Sequence, residues 1–235
     1  MIEFHMPQGG PDRHGVLSEL VKYIVNQTPT PAKFLSILEV GSFEGQSALV
    51  WGTALADYCS LGGTLLCIDP WKPYHTKGMI ASGSMYNQMN EGLENGSVYA
   101  RFLSNISAVS NKVSVLTRRG SLLTEFPYLI ENSYNIVYVD GDHTASGVAS
   151  DLALGRQLVK ADGIICGDDL EVEFDKCDQA QALLHAEQTD YLGGYHPGVT
   201  VAVWKAFGNV WCRNGVWAMQ KVEDGSWRKP EGLQI

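Results

Sequence analysis

Several features that would assign the chain to a membrane or secreted class are missing from the sequence. No apolar run reaches the ~20 residues that a helix needs to span a bilayer. The first residues, MIEFHMPQGGPDRH, contain neither the basic start nor the apolar stretch of a secretory signal peptide. We therefore expect a cytoplasmic protein without a membrane partner.

Positive charge is also scarce. The 235 residues include 17 Lys and Arg against 26 Asp and Glu, a formal net charge of −9 at pH 7. Nucleic-acid binders need a basic face that displaces counterions, and Lys160 and Arg118–Arg119 are too sparse to form one. We therefore expect no nucleic-acid partner, whereas a cationic cofactor or a divalent metal suits an acidic chain. The sequence leaves open whether the protein is a homo-oligomer.

The five cysteines show no CxxC or zinc-type spacing. Cys67 and Cys166 lie within apolar runs that resemble strands, where a free cysteine usually acts as a small core residue. The cysteines therefore indicate core packing rather than a zinc site.

Apolar runs alternate along the chain with segments of helical periodicity. The pattern predicts strands over 34–41, 63–70, 112–120, the run that ends at Val139, and 162–170, with helices over 13–26, 44–59, 86–110, 144–159 and 175–188. The segment 196–208 is ambiguous between a helix and a strand, and Pro197 near its start favours a helix. Asn214–Gly215 between two strand-like halves predicts a terminal hairpin. These elements predict an α/β fold, a Rossmann-like doubly wound and mostly parallel sheet of seven strands with a C-terminal antiparallel hairpin. We expect one domain over 1–235, with 1–30 as an N-terminal helical extension and 70–86 as a lid loop.

Ligands of such sheets bind beyond the carboxyl ends of the strands, so those ends are the candidate site. The first strand ends in EVGSFEGQSA, which contains Glu39, Gly41, Ser42, Gly45 and Ser47. The dinucleotide fingerprint G-x-G-x-x-G would need glycines at 43 and 46, where the chain has Phe and Gln. The spacing E-x-G-x-x-x-G instead resembles the first motif of class I S-adenosylmethionine-dependent methyltransferases.

The next two strand ends extend this resemblance. Asp69 ends the second strand, where a carboxylate can accept two hydrogen bonds from a ribose diol. Trp71 follows it and could stack on adenine, close over the acceptor, or pack in the core. Gly120 and Ser121 end the third strand, where they could border the adenine. The ordered series of three strand ends predicts S-adenosylmethionine as the cofactor.

Carboxylates gather after the fourth and fifth strands. Asp140, Asp142 and His143 follow the fourth strand, and Asp168–Asp169 follows the fifth. Neighbouring strands bring these groups together, where they repel unless a cation lies between them. Oxygen ligands of this number suit Mg²⁺ or another hard divalent ion. We expect Asp142 to cap the following helix or to face solvent.

The D-x-x-H pattern with the acidic pair resembles metal-dependent O-methyltransferases of the macrolide-sugar type, and is similar to proteins named cephalosporin hydroxylases. The resemblance implies that Asp140, Asp168 and Asp169 hold the metal, that Asp140 also borders the cofactor, and that His143 is the general base. The family often has Glu-Asp where this chain has Asp168–Asp169, so the shorter side chain could shift the metal or admit a water. His75 and His196 fall in loops that could overhang the site.

These observations predict an S-adenosylmethionine-dependent, Mg²⁺-assisted O-methyltransferase of a small hydroxylated molecule, a sugar or a natural product. One alternative is an oxidoreductase that binds NAD or a nucleotide sugar; the missing glycine and the terminal hairpin count against it. Another is a non-catalytic, metal-stabilised binding protein, against which the position of His143 counts. The sequence does not identify the acceptor.

Overall fold

A mixed sheet of eight strands organises the chain in the computed structural model, which describes residues 4, 11–28, 33–73, 85–189 and 193–233. The strands are β1 Leu35–Val40, β2 Gly63–Ile68, β3 Val113–Arg118, β4 Tyr134–Val139, β5 Val159–Gly167, β6 Trp211–Arg213, β7 Val216–Lys221 and β8 Trp227–Arg228. The helices are α1 Pro11–Gln27, α2 Gln46–Tyr58, α3 Met85–Glu94, α4 Ser97–Ile106, α5 Leu122–Glu125, α6 Ala145–Leu158, α7 Gln179–Leu184 and α8 Pro197–Phe207.

The strand order is β3-β2-β1-β4-β5-β7-β6, and β8 pairs with β7. The first five strands are parallel, whereas β7 runs antiparallel to β5 and to β6. The predicted doubly wound sheet with its C-terminal hairpin is therefore confirmed; the predicted number of strands omitted the two-residue β8. The order reverses between β1 and β4, which places the switch point beside the ends of these two strands.

Two of the predicted helices differ from the observed ones, one because of a glycine and the other because of a capping residue. The segment predicted as one helix over 86–110 divides at Gly96, whose φ of +77° begins α4. The helix predicted over 175–188 is shorter, because Asp178 caps α7 by accepting the N–H groups of residues 180 and 181. The turn at Asn214–Gly215 has φ values of 55° and 85°, as a tight hairpin requires. None of the helices in the described ranges is long and apolar enough to cross a membrane.

Helix α1 forms part of the hydrophobic core. Its apolar stripe is at most 3% exposed and packs in one cluster with α2 and one face of the sheet; the stripe consists of Val16, Leu17, Leu20, Val21 and Ile24. This packing carries Arg13 and His14, at the start of α1, to the carboxyl ends of the strands, where both line the main cavity. Most of the predicted lid, 74–84, lies outside the described residues.

If α1 belongs to the core, Leu20→Ala should lower the free energy of unfolding by about 2–5 kcal/mol, because it removes a fully buried side chain and leaves a cavity. Urea denaturation measures this change. Lys22→Ala, on the exposed side of the same helix, serves as the control and should change stability by less than about 0.5 kcal/mol. Equal and small effects of both substitutions would show that α1 is a loosely attached extension.

Candidate functional site

A cavity of about 500 Å³ opens at the carboxyl ends of the parallel strands. Its walls come from the ends of β1, β2, β4 and β5, the connection between β3 and α5, the start of β7, and helices α1, α2, α3, α5 and α6. The predicted site residues among its lining are Gly41, Ser47, Asp69, Gly120, Ser121, Asp140, His143, Asp168 and Asp169. The tertiary structure thus brings the strand-end residues into one volume.

Glu39 and Ser42, also predicted to bind the cofactor, lie beneath the cavity rather than in its lining. Glu39 is fully buried, and its Oε2 accepts a 2.6 Å hydrogen bond from the Ser42 hydroxyl. Burial raises the pKa of Glu39 above its ordinary value, and the Ser42 contact opposes this shift. The pair therefore supports the turn after β1 from below.

Trp71 and Gly45 are likewise absent from the lining among the described residues. The Trp71 indole donates a 2.8 Å hydrogen bond to the Phe43 carbonyl, and its ring packs against Phe102 with centroids 4.6 Å apart. Gly45 has φ +83°, and a Cβ there would lie 2.9 Å from the Phe102 ring. Of the three sequence-based possibilities for Trp71, the structure places its side chain in the core.

Gly41 brings the ends of β1 and β4 together. Its φ is +87°, and a Cβ at this position would lie 1.9 Å from the carbonyl oxygen of Asp140. A side chain could not fit without moving backbone, so glycine permits the approach. The Gly41 N–H donates to the Ile68 carbonyl at 2.9 Å, and the Asp140 N–H donates to the Val40 carbonyl at 2.9 Å. Three strand ends are thereby fixed beneath the cavity.

Asp69 fixes the backbone of two connecting segments. Its Oδ2 accepts the Phe43 N–H at 2.9 Å and its Oδ1 accepts the Trp71 N–H at 2.6 Å. Both donors belong to large residues with positive φ, 42° at Phe43 and 43° at Trp71, a conformation that needs support from its surroundings. Asp69 is 6% exposed and also lines the cavity.

Arg13 is a site residue that the sequence analysis missed. Its Nη1 lies 2.8 Å from Asp168 Oδ1 and 2.9 Å from Asp169 Oδ1, and its Nη2 lies 3.0 Å from Glu171 Oε1. The absence of a side chain at Gly215 makes room for the guanidinium, since a Cβ there would lie 2.8 Å from Nη2. The position of Arg13 at one end of an amphipathic helix could have indicated a site residue. Nothing in the sequence, however, linked it to carboxylates more than 150 residues away.

The carboxylates after β4 and β5 differ in their partners. Burial, Asp169 and Asp168 together raise the pKa of Asp140 well above its usual value, and Tyr138 donates a 3.1 Å hydrogen bond to Asp140. Burial and Asp169 raise the pKa of Asp168 to about 6, although Arg13 acts in the opposite direction. Burial also opposes ionisation of Asp169, but the neighbouring histidines and Arg13 lower its pKa below the ordinary value.

Two histidines flank Asp169. His143 Nε2 lies 3.1 Å from Asp169 Oδ2, and His196 Nδ1 lies 3.9 Å from Asp169 Oδ1 and 3.3 Å from Glu171 Oε2. The two rings are 4.5 Å apart at their centroids. Burial lowers the pKa of His143, whereas contacts with Glu171 and Asp169 outweigh burial at His196 and raise its pKa. His143 Nδ1 is buried and has no hydrogen-bond partner among the described residues.

The tightest group of possible metal ligands differs from the predicted trio of Asp140, Asp168 and Asp169. In the described ranges, the set whose ligand atoms all lie within 4.8 Å of one another is His143, Asp169 and His196. Asp140 and Asp168 border this set from the same cavity. Asp142 is not a member of this set; its Oδ1 accepts the Thr144 N–H at 2.8 Å at the start of α6, and it also lines the cavity. His75 lies outside the described residues.

Comparisons with known proteins agree with this fold. A family model described as a methyltransferase domain matches residues 38–170. The O-methyltransferase TomG from Streptomyces achromogenes, involved in tomaymycin synthesis and solved in complex with SAM, is 14% identical with a TM-score of 0.51, covering 85% of this chain and 67% of TomG. Cofactor-bound Rv0187 from MTB is 14% identical with a TM-score of 0.51, covering 91% of this chain and 82% of Rv0187. No curated protein matches the sequence.

Because Asp69 accepts two backbone N–H groups, Asp69→Asn should lower the free energy of unfolding of the ligand-free protein by about 1–3 kcal/mol, since an amide NH₂ would face a buried donor. Chemical denaturation measures the loss, and hydrogen exchange should quicken at residues 42–45. Asp57→Asn on the exposed side of α2 is the matched control. Unchanged stability in Asp69→Asn would mean that Asp69 serves the ligand alone.

Proposed function

The chain belongs to the methyltransferase domain family, and we propose that it transfers the methyl group of S-adenosylmethionine to a hydroxyl oxygen of a small molecule. The observation that carries this proposal is the pair formed by His143 and Asp169, 3.1 Å apart in the lining of the cavity. A neutral imidazole held by a carboxylate is a suitable acceptor for a hydroxyl proton. Family membership counts against the oxidoreductase alternative.

The cofactor spans the ends of the first three strands and β4. Its methionine part lies over the turn at Gly41 and beside Ser47, its ribose meets Asp69, and its adenine lies beside Gly120 and Ser121, all of which line the cavity. The sulfonium is cationic, so it gains from the carboxylates at the β4 and β5 ends. TomG, which shares the fold, was solved with the same cofactor bound.

Methyl transfer is an in-line displacement in which the acceptor oxygen forms a bond to the methyl carbon as the carbon–sulfur bond breaks. The hydroxyl proton goes to His143, and S-adenosylhomocysteine leaves as a neutral thioether. Asp169 Oδ2, 3.1 Å from His143 Nε2, holds the imidazole in place. Asp169 then stabilises the imidazolium.

The carboxylates after β4 and β5 suit a divalent ion, but Arg13 competes with the ion for two of them. The carboxylates of Asp140, Asp168 and Asp169 supply the oxygen ligands that Mg²⁺ prefers, and burial with the neighbouring Asp169 and Asp168 raises the pKa of Asp140 well above its usual value. A bound ion would lower the pKa of the acceptor hydroxyl. However, Arg13 already contacts Asp168 and Asp169, so an ion that takes both residues must compete with the guanidinium.

The reaction is tested through cofactor binding and proton transfer. S-adenosylhomocysteine, but not NAD⁺, should raise the melting temperature of the wild-type protein. His143→Ala should keep this response yet slow methyl transfer from radiolabelled S-adenosylmethionine to a panel of hydroxylated sugars and natural products by roughly 10²–10⁴-fold.

His185→Ala, a histidine substitution on the far end of α7, is the control and should leave the rate unchanged. If S-adenosylhomocysteine gives no thermal shift, the cofactor assignment fails. If His143→Ala transfers methyl groups as fast as the wild type, another group is the base.

The competition between Arg13 and the ion is tested with Arg13→Met in chelator-treated protein. Without the guanidinium the two aspartates repel each other, so the variant should melt lower than the wild type and gain more in melting temperature from Mg²⁺. Asp169→Asn should abolish most of the gain in either background, whereas Asp142→Asn should leave it largely intact. Lys22→Met is the control on the same helix. An equal metal response with and without Arg13 would exclude competition.

A further inference from the structure

His196 has no role in the reaction proposed above, yet it lies beside two groups that do. Its ring centroid is 4.5 Å from that of His143, and its Nδ1 is 3.9 Å from Asp169 Oδ1. His143 Nε2 in turn lies 3.1 Å from Asp169 Oδ2. Among the residues that the structure describes, these three side chains form a set whose ligand atoms all lie within 4.8 Å of one another. The cavity therefore contains a compact group of two imidazoles and one carboxylate.

Three separate segments bring this group together. His143 follows β4, Asp169 follows β5, and His196 directly precedes α8. Gly198, in the first turn of α8, permits the close approach of α8 to the connection between β4 and α6. A Cβ on Gly198 would lie 2.1 Å from the His143 carbonyl oxygen and 2.6 Å from the backbone nitrogen of Ala145. The backbones that carry the two histidines thus pack directly against each other, which keeps both imidazoles within reach of one ion.

Two imidazoles and a carboxylate suit a different class of metal from the trio of Asp140, Asp168 and Asp169. Mg²⁺ prefers oxygen ligands, whereas Zn²⁺ and its neighbours Co²⁺ and Ni²⁺ bind imidazole well. Ligands of tetrahedral zinc lie ~2.0–2.2 Å from the ion, so two of them are about 3.3–3.5 Å apart. The distances from the Asp169 carboxylate, 3.1 Å to His143 and 3.9 Å to His196, bracket this value. Three protein ligands leave a fourth position for water.

The remaining contacts of His196 orient its ring for this role. The Tyr86 hydroxyl lies 3.4 Å from His196 Nε2, and Glu171 Oε2 accepts the His196 backbone N–H at 3.3 Å. Glu171 Oε2 also lies 3.3 Å from Nδ1. An ion on Nδ1 would replace this last contact and leave the other two in place, so the ring would not have to turn. Partners of this kind fix the orientation of a ligating histidine and strengthen metal binding.

We propose that His143, Asp169 and His196 form a site for Zn²⁺ or a similar ion, and that this ion switches methyl transfer off. An ion on His143 makes the imidazole a metal ligand, so it can no longer take the hydroxyl proton. The ion also uses Asp169, which belongs to the carboxylate trio that suits Mg²⁺, so the two ions exclude each other. The inhibitory effect rests on the proposed function, whereas the site itself does not.

The site is tested by titrating Zn²⁺ into chelator-treated protein and measuring binding by calorimetry. His196→Asn should weaken zinc binding by about 10- to 100-fold, a loss that follows even from removing an outer partner of a metal ligand. Asparagine is a favoured residue at a helix start, so this variant should fold, which melting curves check. His143→Ala should weaken zinc binding to a similar extent. His185→Ala is the control and should bind zinc as the wild type does.

Mg²⁺ distinguishes the two metal sites in the same variants. The rise in melting temperature with Mg²⁺ should persist in His196→Asn, because the carboxylates of the trio are unchanged. Co²⁺ should give visible absorption bands with the wild-type protein that disappear in His196→Asn. Equal zinc affinity in the wild type and His196→Asn would overturn the site, and so would a joint loss of the zinc and magnesium responses.

The inhibitory effect is measured as the Zn²⁺ concentration that halves methyl transfer, with each protein compared with its own rate without zinc. The wild type should be inhibited near the dissociation constant found by calorimetry, and excess Mg²⁺ should raise that concentration. His196→Asn should need about 10- to 100-fold more zinc. A rate that saturating zinc leaves unchanged or increases would overturn the inhibitory effect. Zinc binding through both histidines in a protein that does not respond to S-adenosylhomocysteine would overturn the proposed function and leave the site standing.

Discussion

The crowding of negative charge behind β4 and β5 is the constraint on which the site depends. Parallel pairing of Val139 with Gly167 brings Asp140 beside Asp168 and Asp169 at one sheet edge. Buried like charges of this kind are costly unless protons or cations offset them. Arg13 supplies a cation, whereas Tyr138 and His143 supply hydrogen-bond donors, and each of the three contacts a carboxylate at about 3 Å.

Offsetting this negative charge requires contacts between distant parts of the chain. Arg13 reaches the carboxylates only because the apolar face of α1 is buried in the core, and because Gly215 in the β6–β7 turn leaves space beside it. The Gly215 carbonyl also accepts the Leu170 N–H at 2.9 Å, directly after Asp169, whose φ is +61°. The first helix, the end of β5 and the C-terminal hairpin therefore together support the carboxylates that follow β5.

Much of this arrangement follows from local sequence. Alternating apolar runs and helical periods predict a parallel sheet, because strands buried on both faces must be apolar throughout. Gly41, Asp69 and Asp140 stand at strand ends, and the rule that ligands bind there locates the cavity. The Asn214–Gly215 pair predicts the hairpin from its backbone preference alone. Such features depend on residues close in the chain, so a single sequence carries them.

The sequence by itself thus determined the sheet, the edge where ligands bind and the acidic residues at that edge, since periodicity and turn chemistry are local properties. Only the tertiary structure decided what those residues contact. It placed Arg13 against both Asp168 and Asp169, and it used the Asp69 carboxylate to hold the backbone of the connecting segments. These outcomes depend on packing between elements far apart in the chain, which fixes distances that no local pattern encodes.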